Sequence, residues 1–117
     1  MVATKFLEAN PEVVKRILLA TVQAVDFVTE NPAEAQAIVN AEIEKWTSKK
    51  IGEDLLKAAW ENLTFTVDPV ASSLQGSADD AVALELLKDP GDLAGLYELE
   101  PLNEILRALD KAEVNGL

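Results

Sequence analysis

The chain has 117 residues, a length that fits one domain, and it holds 10 Lys and Arg against 21 Asp and Glu, for a formal net charge of −11. That balance argues against nucleic acid and against an anionic membrane surface as partners, because both are bound by clustered basic side chains. With no Cys and no His, disulfides, thiolate zinc sites and the usual Ser-His-Asp and Cys-His catalytic sets are excluded.

Taken in chain order, residues 1–3 read as the end of a strand or an extended lead-in. Met1-Val2-Ala3-Thr4-Lys5 lacks the basic, apolar and small-residue zones of a signal peptide, and no later apolar run reaches the roughly 18 residues of a membrane span. Thr4 is placed to cap a short helical turn over 5–9. A long helix follows between Asn10 and Asn31. Asn10 is a capping residue type, Pro11 suits a first helical position, and Glu12 suits the positive end of the helix dipole. One apolar stripe runs Val13, Ile17, Ala20, Ala24, Val28, and a second runs Val14, Leu18, Thr21, Val25. Together they cover more than half of the circumference. A one-sided surface helix has a narrower apolar face, so this helix needs partners on more than one side.

The helix stops before Pro32, since the residue preceding a proline avoids the helical region. Asn31-Pro32 opens the next helix, with Glu34 where a capping box places its acid. Ala35, Ile38, Val39, Ile43 and Trp46 form its apolar face. The polar connector 47–50 leads to a third helix opened by Gly52-Glu53-Asp54, whose apolar face is Leu55, Leu56, Ala59, Trp60 and Leu63. Thr64-Phe65-Thr66-Val67 alternates and is β-branched or aromatic, so it is expected to be extended. Four residues make a strand of little stability without a sheet to join. Asp68-Pro69 is another cap-plus-proline start. The helix after it carries Val70, Ala71, Leu74, Ala78, Ala81 and Val82, then Leu84, Leu86 and Leu87, with Gly76 weakening it by about 1 kcal/mol relative to Ala. Residues 88–92 are a break. Residues 93–99 are irregular with Tyr97 packed, and Pro101 opens a last helix with Leu102, Ile105, Leu106 and Leu109 on one face. Asn115-Gly116 follows. The local reading is an all-α or mostly α chain of about five helices, with one orphan extended segment.

Candidate chemistry is sparse. Asp79 and Asp80 point about 100° apart on a helix and do not converge as an acid/base pair must. The pairs Glu30 with Glu34 and Glu98 with Glu100 are no better placed, and no metal site or cofactor is indicated. Trp46, Trp60, Phe65 and Tyr97 suit packing better than ligand stacking. Asn62-Leu63-Thr64 matches a glycosylation sequon that chance alone supplies. Gly76 and Gly91 fall in no phosphate-binding pattern. Thr64, Thr66 and Asp68 form the most suggestive polar group, at the mouth of a strand-to-helix turn, because helix N-termini bind anions. The plainer reading makes Thr64 and Thr66 strand residues and Asp68 a cap, whose charge would repel an anion. The plainer reading is favoured and the ligand-binding residues stay unknown, with Thr64 and Thr66 as the only candidates the sequence offers. No catalytic residue is expected, and the chain is not read as an enzyme.

The ordered series of segments carries a resemblance. Thr4-Lys5-Phe6-Leu7-Glu8-Ala9-Asn10-Pro11-Glu12-Val13-Val14, Asp26-Phe27-Val28-Thr29-Glu30-Asn31-Pro32-Ala33-Glu34-Ala35 and Val39-Asn40-Ala41-Glu42 are followed by Thr64-Phe65-Thr66-Val67-Asp68-Pro69. Ala71-Ser72-Ser73-Leu74-Gln75, Ser77-Ala78-Asp79-Asp80-Ala81 and the segment 93–99 continue in order. The series, covering nearly the whole chain, resembles the C-terminal part of the solute-binding proteins of ABC importers, in the group that handles aliphatic sulfonates, taurine and nitrate. Val67 departs from the pattern, which has Asn there. The resemblance implies a parent of two α/β lobes closing on a ligand, with this chain as a C-terminal fragment and most of the anion-holding residues elsewhere. It implies a small anionic solute and ABC permease subunits as partners, and an extracytoplasmic location (periplasm or outer face of the cell membrane). The thiamine-precursor binding proteins share that fold. The two-sided helix would then lie on a sheet of the parent, and the chain alone is expected to self-associate and not to bind ligand. The alternative reading is a free-standing acidic helical protein-interaction module.

Overall fold

The computed structural model describes residues 2–93 and 95–117. Met1 and Ala94 lie outside the described residues, and with them parts of the expected lead-in and of the irregular segment 93–99. Among the described residues six helices follow one another: α1 (Thr4–Ala9), α2 (Pro11–Glu30), α3 (Pro32–Thr47), α4 (Glu53–Trp60), α5 (Ala71–Ala83) and α6 (Glu100–Ala108). Among the described residues there is no strand. The all-α expectation holds, with the short turn after Thr4 counting as a helix of its own. Segment 64–67 forms no strand, although its burial alternates as a strand's would: Phe65 and Val67 are half-buried, Thr64 and Thr66 exposed.

The chain forms two compact units, Met1–Ala20 with Val67–Leu117 and Thr21–Thr66. In the first, Val14 of α2, Ala71 and Ala78 of α5, and Leu102 and Leu106 of α6 are buried, Leu106 to 1% exposure. Lys15 of α2 and Glu104 of α6 form an ion pair in this unit. In the second unit Val22, Ala35 and Leu56 are buried and α3 packs against α4.

Both Asn-Pro junctions fold alike, with a twist on the expected capping. Asn10 (φ −138°, ψ 51°) and Asn31 (φ −126°, ψ 57°) sit outside the helical region, as a following proline demands. Each closes the preceding helix. The backbone N–H of Asn10 donates to the Phe6 carbonyl at 2.8 Å and its Nδ2 to the same oxygen at 3.3 Å. Asn31 does the same to the Phe27 carbonyl at 2.8 and 3.3 Å. The Asn31 side chain makes no cap bond to α3, and Thr4 is the first residue of α1, behind an Ala3 cap. Proline ended each helix, and the asparagine amide then found the nearest free carbonyls at the C-terminus behind it.

The helix after Asp68-Pro69 begins later and ends earlier than its sequence pattern indicated. Asp68 Oδ1 accepts the Val70 N–H at 2.8 Å, and Val70 is left-handed (φ 50°), so α5 starts at Ala71. It ends at Ala83, leaving Leu84, Leu86 and Leu87 exposed. There the Glu85 N–H reaches the Val82 carbonyl and the Leu86 N–H the Ala81 carbonyl, at 2.9 and 2.8 Å. These two bonds make a Schellman stop, with Glu85 at the left-handed position glycine usually fills (φ 57°). α6 ends in the same way. Asp110 (φ 54°) bonds Arg107, and Lys111 bonds Leu106.

Several predicted apolar faces remain open. Of the first α2 stripe, Val13, Ile17, Ala20 and Ala24 are exposed and Val28 half-buried. On α3 the buried residues are Ala35 and Asn40, whereas Ile38, Val39 and Trp46 are exposed, Trp46 to 80%. The core assignment of Trp46 is therefore corrected. On α4, Leu56 is buried while Leu55 is exposed, as is Leu63 beyond the helix end.

Candidate functional site

Two hollows lie in the unit Thr21–Thr66. The smaller, about 360 Å³, is lined by Val28, Thr29, Pro32, Trp60, Leu63, Thr64 and Phe65. Its shape follows from local chemistry. α4 ends at Trp60, and Asn62 Nδ2 donates to the Ala58 carbonyl at 2.8 Å. The Leu63 N–H donates to the Trp60 carbonyl at 3.0 Å, which closes a turn. That turn brings Phe65 back onto Trp60, with ring centroids 4.8 Å apart and planes tilted by 41°. The spacing is that of a favourable aromatic pair.

Thr64 thus lines a real depression, and Thr66 does not. Asp68, the third member of the predicted polar group, has its Oδ1 on the Val70 N–H. Thr29 Oγ1 donates to the Val25 carbonyl at 2.8 Å. The wall is therefore aromatic and aliphatic with two hydroxyls, and no Lys or Arg takes part in it. Such a surface can stack or cover an apolar body. It does not supply the charge-assisted donors that hold an anion.

The larger hollow, about 570 Å³, lies between α3 and α4. Ala33, Ala37 and Ala41, one helical turn apart, give it a smooth wall on α3, with Leu56 and Lys57 opposite. Its floor is fixed by Asn40, 8% exposed, the buried polar residue of the unit. Asn40 Nδ2 donates to the Ile51 carbonyl at 2.9 Å, and the Ile51 N–H donates to Asn40 Oδ1 at 2.8 Å. The amide thereby mimics one rung of an antiparallel ladder and pins the α3–α4 connector. Lys50 at the rim pairs with Glu44 at 3.4 Å. Sequence reasoning passed over this clamp. The available signal was a polar residue within the alanine-rich line of α3, with nothing to announce Ile51 as its partner.

The other groups weighed from sequence stand apart. Asp79 and Asp80 are exposed, and Asp79 Oδ1 accepts Gln75 Nε2 at 2.9 Å. Glu100 is paired with Arg107. Among the described residues no three acidic side chains gather as a metal ion would require, and no helix is long and apolar enough to cross a membrane.

No protein-family model, curated protein sequence or solved structure matches this chain.

Proposed function

We propose that this chain is the C-terminal portion of the solute-binding subunit of an ABC importer for a small anion of the aliphatic sulfonate, taurine or nitrate class. The subunit captures its solute outside the cytoplasmic membrane, delivers it to permease subunits and performs no covalent chemistry. The observation that carries this reading is the ordered series of segments from Thr4 to Leu99, which keeps the family's sequence order along nearly the whole chain. Two structural features agree with it. The apolar stripe of α2 lies open, with Ile17 57% exposed, as expected of a helix whose second partner belongs to another part of a larger protein. The Thr64 depression has an apolar wall and no cation, as expected of a partial cleft whose charge-bearing side is elsewhere. Of the two candidate threonines, Thr64 lines this depression and is the one proposed to face the ligand, while Thr66 lies outside it.

Calorimetric titration of the full-length source protein with taurine, an alkanesulfonate and nitrate tests the proposal. Saturable binding of at least one is expected there, and none for residues 1–117 alone. A full-length protein indifferent to all three overturns it. Tight binding by the isolated chain would overturn the partial-cleft reading.

A further inference from the structure

The chain has six asparagines, at 10, 31, 40, 62, 103 and 115. Five of them have their side-chain amide tied to a backbone carbonyl: Asn10 to Phe6, Asn31 to Phe27, Asn40 to Ile51, Asn62 to Ala58 and Asn103 to Val114. Asn10 and Asn31 are also followed by prolines, which carry no N–H. Asn40 and Asn103 sit inside α3 and α6, where the helical backbone holds the following nitrogen away from the side chain. Asn115 alone of the six combines four features, two of which, exposure and a place outside any helix, it shares with Asn31 and Asn62. It is exposed, lies outside any helix, is held by no side-chain bond among the described residues, and precedes Gly116.

We propose that Asn115-Gly116 is a self-modification site, at which the folded protein converts Asn115 to aspartyl and isoaspartyl forms with water as the co-reactant. The Gly116 nitrogen attacks Asn115 Cγ, forming a new N–C bond. The Cγ–Nδ2 bond breaks, and ammonia leaves carrying the proton given up by the Gly116 nitrogen. The product is a cyclic imide. Water then opens it at either carbonyl. Opening at the backbone carbonyl leaves the chain running through Cγ as an isoaspartyl link, and opening at Cγ gives an ordinary aspartate. No electron transfer is involved. Glycine matters because the attacking nitrogen is flanked by no Cβ, and its backbone reaches the required geometry without steric penalty.

The surroundings give the change a structural meaning. The Val114 N–H donates to Asn103 Oδ1 at 2.9 Å, so the residue before the site is anchored to α6. On the other side, a Cβ built on Gly116 would lie 3.7 Å from Leu99 Cδ1. The isoaspartyl link inserts an extra backbone carbon directly after the anchored Val114. It also adds a negative charge beside Glu113, which Arg107 holds at 2.9 Å.

The test is incubation of the folded chain at mildly alkaline pH, tryptic cleavage after Lys111, and mass analysis of the peptide that begins at Ala112. The acid form is expected to accumulate as two separable isomers, the isoaspartyl one labelled by an isoaspartyl methyltransferase. Conversion at Asn115 should outpace Asn40, Asn62 and Asn103 by an order of magnitude. Gly116→Ala should slow it comparably, and 3.7 Å to Leu99 is ordinary contact, so that variant fits without strain. Asn115 persisting as long as Asn62, or converting equally fast in Gly116→Ala, overturns the proposal.

Discussion

Asn40 and Asn103 use the same device, each grasping both the N–H and the C=O of the residue eleven positions later. A side-chain amide is the one uncharged group that offers a donor and an acceptor side by side, so it can replace a strand partner where the chain has no strand. For Asn40 the environment is buried and the consequence of removal is steep. Asn40→Ala leaves the Ile51 N–H and C=O without partners, and is expected to destabilise by roughly 1–3 kcal/mol. Asn40→Asp should do worse, since a carboxylate repels the Ile51 carbonyl and brings charge into a buried position. Urea unfolding followed by circular dichroism measures both. Equal midpoints for wild type and Asn40→Asp would mean that the clamp contributes nothing. Glu85 and Asp110 show the opposite case, residues strained in place. A non-glycine residue in the left-handed region carries a penalty of about 1–2 kcal/mol. Glu85→Gly and Asp110→Gly should therefore each raise stability, by about 0.5–1 kcal/mol once the added freedom of the unfolded chain is subtracted. A lowered thermal midpoint in either variant would show that the side chain contributes more than its backbone strain costs.

At the scale of elements, the ion pair between Lys15 of α2 and Glu104 of α6 ties two helices of one unit. The hydrogen bond from Lys15 and then its charge hold the Glu104 carboxyl below the ordinary glutamate value. The same two effects from Glu104 hold the Lys15 ammonium above the ordinary lysine value. A depressed carboxyl stabilises the fold above the ordinary carboxylate range and stops doing so as pH falls through its folded value. A raised ammonium stabilises below the ordinary lysine range and stops doing so as pH rises through its own. Glu104→Gln should therefore be less stable than wild type near neutral pH, with the difference closing at both the acid and the alkaline end. It should also shrink with added salt, because both side chains are solvent-accessible. A difference that stays constant with pH would assign the effect to packing. Helix positions were legible in the sequence because Pro11, Pro32 and Pro101 and the 3.6-residue apolar spacing are local signals. The late start of α5 was not, because Asp68 satisfied the Val70 N–H in a turn where a cap had been expected. Nor was its early stop, because Schellman ends announce themselves through glycine and Glu85 gives no such signal. Of the candidate site, the Trp60–Phe65–Thr64 grouping was readable only as separate residues. The turn at Asn62 and Leu63 that folds it is a backbone event without a strong sequence mark.

For the whole molecule, the balance of covered and open apolar surface governs behaviour. Val14, Val22, Leu56, Leu102 and Leu106 are buried, while Val13, Ile17, Ile38, Trp46, Leu55, Leu84 and Leu86 remain substantially exposed. Single exposed leucines need no explanation, but large apolar side chains open on α2, α3, α4 and the segment after α5 favour association. The net charge of −11 opposes it, and that opposition is long-ranged and screened by salt. Two forces with different salt dependence give a definite expectation. The mass measured by light scattering should rise with protein concentration, and should rise further on moving from low to high ionic strength. Ile17→Glu should reduce the effect, since it places a charge in the middle of the open α2 stripe without touching a buried residue. In the proposed larger parent the same substitution should reduce stability, because there the partner layer would cover Ile17. A compact monomer at every concentration and salt level, unchanged by Ile17→Glu, would show that these faces need no partner, and would count against the chain being part of a larger solute-binding subunit.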